Sequence, residues 1–214
     1  LQPQASLTVI DQSTGEVKAI VGGRGDKTAS KTLNRATDTT RQPGSTFKIL
    51  AAYSAALDAG GLTLASVQDD APYTYAGANG KSVNNYDRRY RGFTTLREAI
   101  TDSINIVTVK TLAQAGVSLG WQYVQEYGFT TVDSRDMNEA LALGGITQGV
   151  SNLELTAAYA AIANQGTYIK PKFYTKILDH DGNVLIDNTT PESHTVIKDC
   201  LLYTSDAADD GESV

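Results

Sequence analysis

A serine and a lysine three residues apart, Ser45 and Lys48, are the pair with the clearest chemical potential, within RQPGSTFK at 41–48. The Pro-Gly dipeptide favours a turn, and the apolar run 49–57 predicts a helix beginning near Ser45. Free N–H groups at a helix N-terminus favour negative charge beside the serine. Desolvation lowers the pKa of a lysine one turn further on, so that it accepts the hydroxyl proton. The pair predicts a serine nucleophile activated by a lysine.

The spacing alone has low specificity, and a polar helix start with a solvated lysine is the plain alternative. Threonine stands at the same distance before lysine at Thr28/Lys31, Thr167/Lys170 and Thr195/Lys198. The context of Ser45, a turn followed by a long apolar helix, distinguishes it from these three pairs.

Together with the preceding NRAT at 34–37, the RQPGSTFK segment resembles the active-site segment of class A penicillin-binding proteins, the bifunctional cell-wall synthases. The resemblance implies an α+β, penicillin-binding/β-lactamase-like fold with an antiparallel sheet and a helical subdomain. It also implies a serine acyltransferase in which Ser45 is the nucleophile and Lys48 its proton acceptor. It implies no metal and no organic cofactor.

Ser103-Ile104-Asn105 matches the Ser-x-Asn motif of the same family. The resemblance implies that Ser103 relays a proton between Lys48 and the leaving amine, and that Asn105 holds the substrate amide and helps to fix Lys48. The alternative for this tripeptide is helix capping and turn formation. A second match at 82–84 lies in loop sequence without flanking helices, so position favours Ser103.

The third motif of the family, Lys-Thr-Gly, does not occur in the 214 residues. In the family it lies on a core strand that supplies one N–H of the oxyanion hole, and losing one such donor typically costs about 10²–10³ in rate. We therefore expect residues 1–199 to be a partial transpeptidase domain whose C-terminal strands are missing. We expect the chain as given to be inactive and poorly stable.

The last fifteen residues, 200–214, contain the single cysteine, Cys200. Residues 200–209 resemble the in-frame translation of a transposon-end sequencing adapter, so we expect the natural sequence to end near Asp199. A genuine acidic, disordered C-terminus is the alternative.

Patterning along the rest of the chain predicts two hairpins, several helices and one long irregular segment. The hairpins are expected at 7–11 with 17–21 and at 173–178 with 184–186. Residues 62–92 are expected to be irregular, with arginines that pair with acids. Helices are expected at 95–101, 106–113 and 121–126, and a capping box, Ser151 with Glu154, is expected to start a fourth helix ending at Gly166.

The composition of the chain argues against several other classes of function. The formal net charge is −6 at pH 7, which argues against a nucleic-acid partner. Two histidines and one cysteine give little support to zinc chemistry or to a Ser-His-Asp triad.

The resemblance thus predicts a peptidoglycan D,D-transpeptidase that acts on stem peptides and is trapped by β-lactam antibiotics. Its place would be the extracytoplasmic face of a bacterial membrane, reached through an N-terminal anchor outside this sequence. The alternatives are a D,D-carboxypeptidase or β-lactamase-type hydrolase of the same superfamily, a non-catalytic descendant that binds cell-wall peptides, and a plain helical interaction domain.

Overall fold

A computed structural model of the protein describes residues 3–76 and 80–199. Residues 1–2, 77–79 and 200–214 lie outside that description, and they include the predicted tail and part of the glycine-containing loop of the segment 62–92.

The described residues contain five α-helices. They are α1 (Ser54–Asp58), α2 (Leu96–Thr101), α3 (Asn105–Ala115), α4 (Val117–Glu126) and α5 (Asn152–Ala163). Short 3₁₀ segments span Gly44–Phe47, Ser134–Asp136 and Glu139–Leu143, and a π-helical turn spans Ile49–Tyr53.

The strands of the described residues pair as six two-stranded antiparallel ladders. The ladders are β1 (Leu7–Ile10) with β2 (Val17–Val21), β3 (Thr40–Arg41) with β8 (Val150–Ser151), β4 (Val67–Asp70) with β7 (Gly92–Thr95), β5 (Tyr73–Thr74) with β6 (Ser82–Val83), β9 (Thr167–Ile169) with β12 (Ser193–Thr195), and β10 (Lys176–Leu178) with β11 (Val184–Asp187). Helices and antiparallel strands together confirm the predicted α+β class.

Both predicted hairpins are present. In the first, Leu7 pairs with Val21 and Val9 with Ala19. In the second, Ile177 pairs with Ile186 across the Asp-Gly-Asn turn. The alternation of apolar residues and the turn composition were sufficient to locate both.

The prediction of an irregular segment over residues 62–92 is wrong in part, because β4, β5 and β6 lie within it and β7 begins at its last residue. β4 and β7 pair over four residues although more than twenty residues separate them in sequence. Such long-range pairing depends on tertiary contacts that a short polar window does not reveal. Arg91 in this segment pairs with Asp87 at 3.0 Å, as expected for a solvated loop.

The predicted capping box of α5 is confirmed. Ser151 Oγ accepts from the Glu154 N–H at 3.2 Å, and the Glu154 carboxylate accepts from the Ser151 N–H at 3.1 Å. Thr95 and Glu98 form the same arrangement at the start of α2. Two helices therefore begin with their first N–H groups satisfied by side chains.

The main core lies between the segment that follows Ser45 and helices α3, α4 and α5. It includes the fully buried side chains Phe47, Leu50, Ile106, Val109, Leu112 and Leu141. The Phe47 ring packs edge-on against Phe129, with 5.1 Å between the ring centroids. Phe47, which lies between Ser45 and Lys48 in sequence, is thus fixed in the core and holds both on a rigid base.

Candidate active site

Ser45 lies in the first helical turn after Pro43, as the sequence predicts, but this turn is a 3₁₀ turn. The Lys48 N–H donates to the Ser45 carbonyl, which closes the turn. Side chains three residues apart are eclipsed in a 3₁₀ helix, so Ser45 and Lys48 lie on one face. Ser45 is exposed to solvent, whereas Lys48 is buried.

The prediction of a regular helix after Ser45 is wrong in part. Residues 49–53 form a π-helical turn, and α1 covers only five residues. The Ile49 carbonyl accepts from both the N–H and the hydroxyl of Ser54, the hydroxyl at 2.9 Å. The Ser54 hydroxyl also contacts the buried Tyr127 hydroxyl at 2.9 Å. A side chain that bonds to the helix backbone competes with the regular ladder, and π-turns of this kind are frequent at functional sites.

The Lys48 side chain ends among three acceptors from the Ser-x-Asn segment. Nζ donates to the Ser103 carbonyl at 2.6 Å, to Ser103 Oγ at 2.9 Å and to Asn105 Oδ1 at 2.7 Å. Only 3% of Lys48 is exposed. The structure thus brings Lys48, Ser103 and Asn105 into direct contact and leaves Ser45 one helical turn away.

Burial lowers the pKa of Lys48 to about 8 from its ordinary 10.5. The cause is desolvation, which disfavours the charged ammonium. A lysine with this pKa is neutral in a useful fraction of molecules near neutral pH, as a general base requires.

The backbone of Ser103 and the amide of Asn105 fix the acceptors. Ser103 has a φ of +53°, a left-handed conformation that a non-glycine residue adopts at some cost. Asn105 is the first residue of α3, and its Nδ2 donates to the Asn84 carbonyl at 2.8 Å, so that Oδ1 faces Lys48. The second Ser-x-Asn match, at 82–84, therefore contributes a main-chain carbonyl to this cluster.

The contacts limit what each Lys48 proton can do. The Ser103 carbonyl and Asn105 Oδ1 only accept, so two N–H groups of Lys48 are committed to them in either protonation state. The third position is an N–H when the lysine is charged and a lone pair when it is neutral. That position can take a proton from a neighbouring hydroxyl, and Ser103 Oγ lies beside it.

Two contacts that hold the Ser45 turn were not singled out from the sequence. The Gln42 side chain accepts from the Ile146 N–H at 2.9 Å and donates to the Ile146 carbonyl. The Tyr159 hydroxyl donates to the Thr46 carbonyl at 2.6 Å. Both contacts join segments that are more than one hundred residues apart in sequence, so no local pattern predicted them.

The contacts of the two histidines lie outside this cluster. His180 lies beside Asp181, and His194 contacts Glu126. Over residues 3–76 and 80–199, no group of three or more His, Cys, Asp or Glu side chains is arranged to hold a metal ion. None of the helices in those same ranges has the length and apolar character needed to cross a membrane.

Comparison with known proteins gives the family. The profile described as the penicillin binding protein transpeptidase domain matches residues 5–200. Penicillin-binding protein 1A of Clostridium tetani is 36% identical over 223 residues, covering 94% of this chain and 28% of the relative. Penicillin-binding protein 1F of Bacillus subtilis is 42% identical over 185 residues, covering 86% of this chain and 25% of the relative. The chain thus spans about a quarter of the length of these relatives.

Solved structures agree in fold. The crystal structure of penicillin-binding protein 1A from Haemophilus influenzae gives a TM-score of 0.75 at 31% identity, over 90% of this chain and 28% of that one. PonA1 from Mycobacterium tuberculosis, solved in complex with penicillin V, gives 0.78 at 23% identity, over 96% of this chain and 55% of that one. The chain belongs to the penicillin-binding protein transpeptidase family.

Proposed function

We propose that the protein is a serine D,D-transpeptidase that cross-links peptidoglycan stem peptides, with Ser45 as nucleophile. The observation that carries the proposal is the buried amine of Lys48, held between Ser103 and Asn105 one turn from Ser45. A lysine with a pKa of about 8 is a suitable acceptor for the serine proton.

In the acylation step, Ser45 Oγ attacks the carbonyl carbon of a D-Ala–D-Ala peptide as its proton passes to the neutral Lys48 amine. The C–N bond to the terminal D-Ala then breaks, and the leaving nitrogen takes a proton from Lys48 through the Ser103 hydroxyl. An ester to Ser45 and free D-Ala result. Splitting the exchange in this way replaces one difficult step by two easier ones.

In the second step, an amine from a neighbouring stem attacks the ester carbonyl and loses a proton to the same Lys48–Ser103 pair. The C–O bond to Ser45 then breaks, Ser45 Oγ takes a proton back from Lys48, and a new amide cross-link results. Asn105 keeps Lys48 in place and binds the substrate amide. A β-lactam would acylate Ser45 by opening of its ring. The proposed site of action is the extracytoplasmic face of the bacterial membrane.

The test is covalent labelling of the complete gene product that contains this chain, using a fluorescent penicillin. We expect one adduct per protein, mapped to Ser45 by peptide mass analysis, and no adduct in Ser45→Ala. Ser193→Ala, at an exposed strand position, serves as the matched control and should label like the wild type. Labelling that persists in Ser45→Ala would refute the assignment of the nucleophile.

The same preparation separates the transpeptidase from a hydrolase of the superfamily. A D-Ala–D-Ala peptide is supplied together with an amine acceptor, and both products are measured. The proposal predicts an amide product with the acceptor, whereas a carboxypeptidase would give only the hydrolysed peptide.

A further inference from the structure

A buried asparagine outside the motifs, Asn85, satisfies the N-terminus of α3. Its Oδ1 accepts from the N–H groups of Asn105 at 3.1 Å and Ile106 at 3.2 Å. Only 4% of Asn85 is exposed. The residue that precedes α3, Ile104, has no capping side chain, so the first N–H groups of this helix depend on Asn85.

Asn85 is itself oriented by Asp70, which is fully buried. Asn85 Nδ2 donates to both carboxylate oxygens of Asp70, at 2.8 and 3.0 Å, and to the Arg89 carbonyl at 2.8 Å. Asp70 also accepts from the Arg91 N–H at 2.9 Å, and the Arg91 guanidinium lies 3.8 Å away. A carboxylate on one side and two helix N–H groups on the other leave the Asn85 amide one orientation.

The segment that carries Asn85 holds Asn105 at two points. Asn85 Oδ1 accepts a hydrogen bond from the main-chain N–H of Asn105, and the carbonyl of Asn84 accepts one from the Asn105 side-chain Nδ2. The remaining polar atom of the Asn105 side chain, Oδ1, accepts from Lys48. A continuous chain of hydrogen bonds therefore runs from buried Asp70 through Asn85 and Asn105 to the Lys48 amine.

We propose that Asp70 and Asn85 are positioning residues for the acylation reaction, because they set the location and orientation of Asn105 and, through it, of Lys48. The proposal rests on the function proposed above for Lys48. Neither residue touches Ser45, Lys48 or Ser103 by hydrogen bonds in the described structure, so both act through Asn105.

The first variant, made in the complete gene product that contains this chain, is Asn85→Asp, which keeps the shape but places a second carboxylate against Asp70. We expect the rate constant of β-lactam acylation to fall about 10- to 100-fold, since small displacements of reacting groups have effects of this size. Non-covalent β-lactam binding should change little. Displacement of Asn105 should let water reach Lys48 and relieve its desolvation, which raises the Lys48 pKa. The acid limb of the acylation rate should therefore move to higher pH.

The second variant is the exchange Asp70→Asn with Asn85→Asp, which restores one donor and one acceptor facing each other. The carboxylate introduced at position 85 can then accept from the α3 N–H groups and from the new amide at position 70. The Arg89 carbonyl loses the donor that Asn85 supplies and faces a carboxylate oxygen, so acylation should recover in part, to at least about threefold above Asn85→Asp, if the two sites are coupled. The exchange keeps the new charge at position 85, so recovery would exclude a purely electrostatic effect of that charge on Lys48.

Two further variants keep the test decisive if Asn85→Asp folds poorly. Asp70→Asn alone should lower the acylation rate by about fivefold, because a neutral amide is a weaker acceptor than a carboxylate. Asn164→Asp is the matched control: the Asn164 amide donates to the Thr167 carbonyl at 3.0 Å, beyond the C-terminal end of α5. It should leave both the acylation rate and its pH dependence unchanged.

The titration of Lys48, followed by NMR of ¹³C-labelled lysine in the unliganded protein, makes the positioning role testable apart from catalysis. An unchanged Lys48 titration and acylation within twofold of wild type in folded Asn85→Asp would overturn the inference, as would failure of the exchange to restore either. If the wild type is not acylated at Ser45 at all, the proposed function fails, and the Lys48 titration alone decides whether Asn85 positions the amine.

Discussion

At the scale of single residues, the site depends on a lysine that is buried and has no carboxylate partner among the residues the structure describes. Its pKa is lowered by desolvation alone, and its three hydrogen bonds go to uncharged oxygens. A paired lysine would be held in the charged form and could not take a proton. The uncharged surroundings of Lys48 therefore suit a proton acceptor better than a structural cation.

The pKa of Lys48 gives the direction of the pH dependence. Below pH 8 the amine is mostly protonated, so the acylation rate should rise about tenfold per pH unit toward pH 8 and level off above it. Rapid-mixing measurements of β-lactam acylation of the complete gene product, from acidic to alkaline pH, would show this limb.

Lys48→Arg is the corresponding variant, because guanidinium remains charged over this range and accepts no proton. It should lower acylation at least about 10²-fold, within the range typical of general base catalysis. Lys110→Arg serves as control, since Lys110 donates to the Asp69 carbonyl at the surface. In the wild type, an acid limb of the acylation rate centred near the ordinary lysine pKa of 10.5 would contradict the assigned environment of Lys48.

At the scale of elements, the Ser45 turn is held by a close backbone approach from the segment 144–149. Gly144 has a φ of +71°, and a Cβ there would lie 2.6 Å from both N and O of Gly44. No side chain fits between these backbones. The position of the turn before Ser45 is therefore set by a segment about one hundred residues away in sequence.

Gly144→Ala should displace that turn as well as strain residue 144. The left-handed conformation costs about 1–2 kcal/mol for alanine, and the overlap with Gly44 adds to it. We expect a larger loss of unfolding free energy than in Gly61→Ala, where φ is +72° and, within the described part of the chain, no atom other than those of the adjoining residues lies within 4 Å of the added Cβ.

The acylation rate distinguishes these two glycine variants further. It should fall about tenfold or more in Gly144→Ala, since the proposed nucleophile moves, and stay near wild type in Gly61→Ala. Urea unfolding and penicillin labelling measure the two effects. Equal behaviour of the variants in both assays would show that the contact with Gly44 has no influence on Ser45.

At the scale of the whole molecule, the first hairpin presents an apolar face to solvent. Leu7, Val9 and Val21 are 54%, 44% and 47% exposed, and the pairing places them on the same side as Ala19. The opposite side is tied to α5, where Thr8 Oγ1 donates to Asn152 Oδ1 at 2.7 Å. An exposed apolar strand face of this kind favours association.

We expect the 214-residue chain to self-associate with rising concentration through this face. Val9→Lys should lower the apparent size in dynamic light scattering without lowering the melting temperature. Ser13→Lys, in the exposed turn of the same hairpin, adds the same charge without removing apolar surface and should have little effect. Equal reductions by both variants would attribute the association to net charge instead.

The sequence alone located several elements because their signals are local. Turn residues between alternating apolar runs predicted both hairpins, and the Ser151 and Glu154 spacing predicted the start of α5. The resemblance to penicillin-binding proteins predicted the family. The three-residue spacing of Ser45 and Lys48 also predicted that they lie on one helical face, since that depends only on the chain between them.

Only the tertiary structure decided what surrounds those residues. The pairing of β4 with β7 and the π-turn at 49–53, where Ser54 bonds both to Ile49 and to the distant Tyr127, depend on contacts that local propensity does not encode. The hydrogen bonds of Gln42 with Ile146 and of Asn85 with Asn105 likewise join residues that are distant in sequence. Burial gives Lys48 its lowered pKa, and burial is a property of the packed molecule, so the motif names the lysine but only the fold gives it the pKa that the proposed role as a base requires.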